Sequence, residues 1–427
     1  MQPEANRFAQ TGQNGHCPPS AGAASGAGHA RRPAPPARQA TTTTLRSEQW
    51  HGWDRFHNTD DATIVKRLAD TPLDHPALWG EVGVAPASSV VIENHATLLP
   101  HLKKRGASHW WLGHQHGGYN ERGEHIEALN DLRGQRQIFQ PPAILEEVEY
   151  DSAKVINKEL VIYGGTIFDH FGHLLLDLTR LYQMARIYRG CKSPIWVHVH
   201  STYPGRGISS PLAQQWLSLL GLEGRVKVIR KPIRATSLVS SSVLYRDRGF
   251  VSKDFYAATS MALATEQQKK LNTIAHAKGK IAYLSRHKLT TGTTKFIQEG
   301  ELVQKLQEHP EIDIICAEEL NFEQKLALYR RYSIIAGFPQ ACMNLKAFVP
   351  QKEGMNLARQ VMLIAGPQSL SSNWINIDLA CKFNDCYVDC PAIDAMENQQ
   401  DEEGFQRGNQ FDVNTAYQAM IELIKMQ

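Results

Sequence analysis

Val161-Ile162-Tyr163-Gly164-Gly165-Thr166-Ile167-Phe168-Asp169-His170-Phe171-Gly172-His173-Leu174-Leu175-Leu176-Asp177-Leu178-Thr179-Arg180-Leu181 reads as a strand, a glycine pair and then a helix bearing reactive groups. Val161, Ile162 and Tyr163 form a β-rich run that the Gly164-Gly165 turn signal closes, and apolar periodicity resumes through Tyr182 and Ala185. On a helix over 172–188, His173, Asp177 and Arg180 stand at i, i+4 and i+7 and share one face. That face offers a base, an acid and a cation.

Outward from this stretch the chain alternates. Strands are predicted over 159–163, 194–200 and 226–230, and helices over 172–188 and 211–221. One long helical segment, 253–277, precedes a second alternating block: strand 280–285, helix 300–309, strand 312–316, helix 321–332 and strand 333–337. Alternation of this kind builds parallel sheets with crossover helices, an α/β fold. Two blocks separated by one helix predict two facing Rossmann-like domains, 46–250 and 251–427, and an amphipathic helix over 413–424 is expected to pack back across their boundary. Residues 1–45 are rich in Ala, Gly, Pro, Ser and Thr and poor in large apolar groups, so a disordered tail is expected there.

Composition narrows the partners. A formal net charge of +3 over 427 residues does not demand a nucleic-acid partner, and Lys103-Lys104-Arg105 and Arg330-Arg331 read as solvated faces. No run of about 18 apolar residues exists and the amino terminus lacks a signal-peptide pattern, so the expected location is the cytoplasm or the inner face of its membrane. The 7 cysteines are odd in number and scattered, and Cys381, Cys386 and Cys390 lack paired C-x-x-C spacing, so neither a disulfide framework nor a metal centre is expected. The His-rich segment His109-Trp110-Trp111-Leu112-Gly113-His114-Gln115-His116 reads as a polar loop in a cleft or facing water.

Four segments in order carry a resemblance. Gly164, Gly165, Gly172, His173, Asp177 and Arg180 match the first motif of glycosyltransferase family 61, with Leu174 where that family usually has Phe. Tyr283-Leu284-Ser285-Arg286 is similar to its Ile-Ser-Arg segment, and Lys295-Phe296-Ile297-Gln298-Glu299-Gly300-Glu301-Leu302 to its Arg-x-x-Asn-Glu-x-Glu-Leu segment. Asn321-Phe322-Glu323-Gln324, Ile334-Ile335-Ala336-Gly337 and Met343-Asn344 resemble its closing motif, from which Phe338-Pro339-Gln340-Ala341-Cys342 departs. The resemblance covers about 150–350 and implies the two-domain GT-B fold and sugar transfer onto polysaccharides or glycoproteins.

Inverting sugar transfer requires a base for the acceptor hydroxyl and positive charge against the departing nucleotide diphosphate. The resemblance gives His173 the role of base, with Asp177 fixing its tautomer and Asp169 as a further catalytic candidate; Gly165 and Arg180 fall on the acceptor side. Trp110 and Trp111 offer flat faces for a sugar ring there. Donor binding falls to Arg286, Lys288, Lys295 in place of the family's Arg, Glu299 as helix cap or ribose ligand, and Asn344, with 290–294 as a hydroxyl-rich loop over the phosphates. D-x-D and G-x-G-x-x-G are both absent, so neither a metal nor a nicotinamide cofactor is expected. The expected partners are a nucleotide-sugar donor and a glycan or lipid-linked acceptor. Two other readings are a non-catalytic binding relative, favoured by the altered closing motif, and a metal-dependent hydrolase using His109, His114 and His116 with His198 and His200.

Overall fold

A computed structural model describes residues 77–103, 114–130, 132–133, 136–137, 142–168, 170–200, 208, 210–366, 369–390 and 405–427. The expected tail, Asp169, Trp110 and Trp111 lie outside these residues. Strands β1 (Val90–Lys103), β2 (His114–Tyr119), β3 (Ile156–Phe168), β4 (Ile195–His200), β5 (Val226–Val228) and β6 (Ile233–Ser241) form one sheet in the order β2-β1-β6-β3-β4-β5. The four strands β6 to β5 are mutually parallel, but β1 runs antiparallel to β6 and to β2. This sheet is therefore mixed rather than parallel throughout, because β1 and β2 pair directly as an antiparallel ribbon along its edge.

The opening stretch also folds differently from its reading. Strand β3 does not stop at the glycines but continues to Phe168, and its register against β4 slips between Tyr163 and Thr166. Gly164-Gly165 is thus a β-bulge, with Gly165 at φ 82°, a conformation that only glycine adopts without strain. The helix expected over 172–188 is two helices, α1 (Phe171–Leu176) and α2 (Thr179–Ile187), which break at Asp177-Leu178. Leu174, Leu175, Leu178 and Leu181 are all fully buried, and the break lets both helices cover the sheet. α3 (Pro211–Leu219) follows β4, capped by the Ser210 hydroxyl on the Ala213 amide.

Between the sheets the expected long helix is α4 (Phe255–Ser260) and α5 (Thr265–Asn272), interrupted where Leu263 turns into the core. The second sheet is built from β7 (Ile281–Ser285), β9 (Ile312–Cys316), β10 (Ile334–Gly337), β11 (Arg359–Ile364) and β12 (Cys386–Asp389), and β8 (Gly292–Phe296) pairs instead with β13 (Phe405–Asn409). Its helices are α6 (Glu299–Leu306), α7 (Phe322–Arg331) and α8 (Ser372–Cys381), with α9 (Val413–Lys425) at the end of the chain. All five strands are parallel, in the order β9-β7-β10-β11-β12. Counted along the chain that order is 2-1-3-4-5, a doubly wound arrangement whose direction reverses between β7 and β10. A crevice opens at the carboxyl ends of two strands flanking such a switch point.

Packing joins the two sheets. The indole of Trp216 on α3 lies 4.8 Å from Phe322 on α7 and 4.9 Å from Phe348, while its N–H donates to the Tyr182 hydroxyl at 3.0 Å. Phe171 stacks on Phe322 at 5.1 Å. One apolar cluster accordingly contains residues from the inner faces of both sheets. A second cluster lies on the far face of the five-stranded sheet, under α6 and α9. Helix α9 places Ala416, Ala419, Met420 and Leu423 in that second cluster, so it packs on its own sheet rather than back across the boundary.

Candidate functional site

His173 and Asp177 form the pair that their spacing implies. Nδ1 of His173 lies 2.7 Å from Oδ2 of Asp177, and both side chains remain partly open to solvent, 30% and 19% exposed. Asp177 follows the last residue of α1, so the helix break aims its carboxylate back along the turn that carries the imidazole. The exposed His170, whose carbonyl accepts the first helical hydrogen bond from Leu174, sets its ring 5.0 Å from that of His173. The local site is therefore two imidazoles and a carboxylate.

Arg180 does not join them. It is 2% exposed, and its guanidinium donates to the carbonyls of Ala128, Leu129 and Asn130 at 2.6 to 2.8 Å. The break between α1 and α2 takes it off the face shared by the other two residues. A Cβ at Gly165 would stand 3.4 Å from the Arg180 stem, so glycine and arginine form one structural joint behind the site.

The start of α1 meets the switch-point crevice. A Cβ on Gly172 would lie 3.4 Å from that of Ala341, the first residue of a 3₁₀ helix, Ala341–Phe348, that follows β10. At the end of β10, Gly337 has φ 148°, and a Cβ there would come within 2.6 Å of the Leu284 carbonyl on β7. Only glycine permits that approach. Gln340 then donates to the same carbonyl at 2.8 Å and accepts from the Cys342 thiol at 3.2 Å. Phe338 stacks on Phe296 at 4.0 Å, so the residues that depart from the closing motif fill the turn with side chains.

Arg286 leaves the carboxyl end of β7 into this crevice. Its backbone N–H donates to both carboxylate oxygens of Glu299 at 3.1 Å, and the Tyr283 hydroxyl donates to Oε1 at 3.2 Å. Glu299 is 1% exposed; burial pushes its carboxyl up to about 7, against the stabilising hydrogen bond and charge of Arg286. It thus acts as the anchor of the Ser285-Arg286 turn and stands behind the cleft. Burial also lowers the pKa of the Arg286 guanidinium, partly offset by Glu299.

The remaining donor-side candidates spread out. Lys288 is exposed and paired with Glu319 at 2.9 Å, and Lys295 lies on β8 with its ammonium 5.9 Å from the Phe405 ring. Residues 292–294, read as part of a loop over 290–294, belong to that strand. Asn344 is buried in the 3₁₀ helix, with no hydrogen-bond partner for Oδ1. Lys325, which the motif reading passed over, sits on α7 with its ammonium 4.8 Å from the Phe171 ring, and burial lowers its pKa. The Cys342 thiol, pushed up to about 12 by burial, feels the charges of both Lys325 and Arg286. Arg286, Cys342, Lys325 and Phe171 thereby connect the crevice to the helix of His173. Nothing in a one-dimensional motif marks Lys325, because its place depends on how α7 packs against α1.

Three other readings meet the geometry. His198 is buried, with Nδ1 2.9 Å from the Tyr163 hydroxyl and Nε2 2.7 Å from the Leu99 carbonyl, so both ring nitrogens are engaged and neither is placed to ligate a metal. Of the basic pair read as solvated, Arg330 is 4% exposed and donates to the carbonyls of Asn356 and Pro350. Cys381 lies in one apolar cluster and Cys386 and Cys390 in the other, on opposite sides of the sheet.

Residues 171–355 match the family model described as Glycosyltransferase 61. No curated protein matches the chain.

Proposed function

The chain belongs to glycosyltransferase family 61 through residues 171–355, and on that premise we propose that it transfers a sugar, with inversion, from a nucleotide-sugar to a polysaccharide or lipid-linked oligosaccharide. His173 is the base that takes the proton of the acceptor hydroxyl. Asp177, at 2.7 Å, orients the ring and stabilises the imidazolium that forms. Arg286 meets the diphosphate of the donor in the switch-point crevice, and Lys325 adds charge from the other wall. Glu299 keeps the Arg286 main chain in place. In this reading the two sheets are the facing halves of a GT-B-like enzyme, divided near residue 250, that works without a metal at the cytoplasmic side of the membrane.

The observation that carries the proposal is the His173–Asp177 pair on a helix whose first turn abuts the Ala341 turn of the crevice. The test is transfer from UDP-, GDP-, dTDP- and CMP-sugars by the wild type and by His173→Ala. Turnover is expected to fall on the order of a hundredfold, the usual scale for a lost general base, with nucleotide affinity nearly unchanged. Asp177→Asn should act in the same direction but less strongly. Full activity of His173→Ala with the right donor and acceptor would sink the assignment. Saturable nucleotide-sugar binding without transfer to any acceptor would instead favour the non-catalytic reading that the altered closing motif suggests.

A further inference from the structure

The rim of the switch-point crevice carries a carboxylate that no motif marks. Strand β7 pairs with β9 on the side away from β10, with Ser285 opposite Cys316, so the two strands end level. Each then turns: β7 runs into Arg286, and β9 into a short 3₁₀ helix, Ala317–Glu319. Lys288 and Glu319 join the two turns at 2.9 Å. That pair leaves Glu318 aside. It is exposed, and its carboxylate makes no hydrogen bond or ion pair with any described residue.

The charge of Glu318 nevertheless reaches into the crevice. Burial lowers the pKa of Arg286 and of Lys325 and raises that of the Cys342 thiol, and on each of them the Glu318 carboxylate exerts a smaller upward pull. Those three groups belong to the β7 turn, to α7 and to the 3₁₀ helix after β10, so a carboxylate felt by all of them stands among those elements. It does not stand where a diphosphate would bind. Gly337 ends β10, and β9 lies two strand spacings from β10, on the order of 10 Å. Carboxylate and phosphate also repel each other. What a carboxylate with about four acceptor sites holds well is a pair of neighbouring hydroxyls. The two parts of a nucleotide-sugar that flank its diphosphate, the ribose and the transferred sugar, both carry such pairs.

We propose that Glu318 accepts hydrogen bonds from a vicinal diol of the donor and so selects for it, a role that rests on the reading of the crevice as the donor site. The test is isothermal titration of the full chain, as wild type, Glu318→Ala, Glu318→Gln and Arg286→Ala, with UDP-glucose, UDP, 2′-deoxy-UDP and inorganic pyrophosphate, the guanosine series being run alongside. Glu318 is exposed and makes no contact that a substitution would break, so its variants should keep the wild-type melting temperature. Glu318→Ala is expected to weaken nucleotide-sugar binding on the order of tenfold, with Glu318→Gln, which keeps a neutral acceptor, in between. Pyrophosphate should bind as tightly as before or more tightly. A loss that is present with UDP and shrinks with 2′-deoxy-UDP assigns the diol to the ribose; a loss present with UDP-glucose and absent with UDP assigns it to the transferred sugar. The proposal is overturned if Glu318→Ala binds nucleotide-sugar as tightly as wild type or more tightly while Arg286→Ala is weakened, which would leave Glu318 a mere counter-charge. Equal loss of pyrophosphate in Glu318→Ala also overturns it, as the mark of a structural role. No nucleotide-sugar binding in the wild type would overturn the donor reading itself, and the proposal with it.

Discussion

Glu299 shows how one residue can couple fold stability to pH. Its carboxyl is raised by burial from 4.5 to about 7, so the folded state holds its proton more tightly than the unfolded chain. That stabilisation is complete below pH 4.5 and is lost as pH rises through about 7, an effect on the order of 3 kcal/mol. Glu299→Gln should therefore lose less stability than wild type between pH 5 and 8. Melting temperatures across that range check it, and parallel curves would show that Glu299 ionises in the fold as it does unfolded. At Arg286 the expected outcome is chemical: Arg286→Ala should weaken UDP or GDP binding at least several-fold, the removal of a charge-assisted contact worth roughly 1.5 to 3 kcal/mol. Unchanged affinity by titration would remove Arg286 from the donor site. His173 and Asp177 were legible in the sequence because a contact four residues apart on one helical turn is local. Lys325 and Gln340 were not, since their positions follow from tertiary packing, and the same applies to Arg180, whose carbonyl partners are about fifty residues away.

Elements were legible where start signals were strong. Asn321 caps α7 by accepting from the Gln324 amide while the Gln324 side chain reaches back, a capping box that the sequence spells out. Asn321→Ala should cost about 1 kcal/mol, read as a lowered midpoint in urea with unchanged slope. Interruptions were less legible. Helices α1 and α2, like α4 and α5, are separated by residues with neither proline nor glycine, and only burial of Leu178 and Leu263 requires the breaks. The glycine pair likewise spells a turn in sequence and becomes a bulge only because β4 is present to pair beyond it. Gly165→Ala should destabilise by about 1 to 3 kcal/mol, from the positive φ together with the Arg180 stem behind it. An unchanged midpoint in that variant would mean that the bulge relaxes freely.

For the molecule as a whole, alternation identified the second sheet as parallel but could not reveal the antiparallel ribbon on the first, whose attachment to the sheet through β1 and β6 joins segments more than a hundred residues apart. Nor does periodicity say which helices touch. Because Trp216, Phe322 and Phe348 share one core, both sheets should unfold in a single transition, and Trp216→Ala should cost about 3 to 5 kcal/mol. Calorimetry resolving two transitions in the wild type would contradict this. Transfer activity should survive EDTA, and its loss with rescue by manganese would overturn the metal-free reading. The shared core also bears on how such chains can be recombined. A chimaera that imports residues 281–389 from a relative to change the donor would bring foreign partners for Phe171, Tyr182 and Trp216, so grafts should fold only when those three positions travel with the segment.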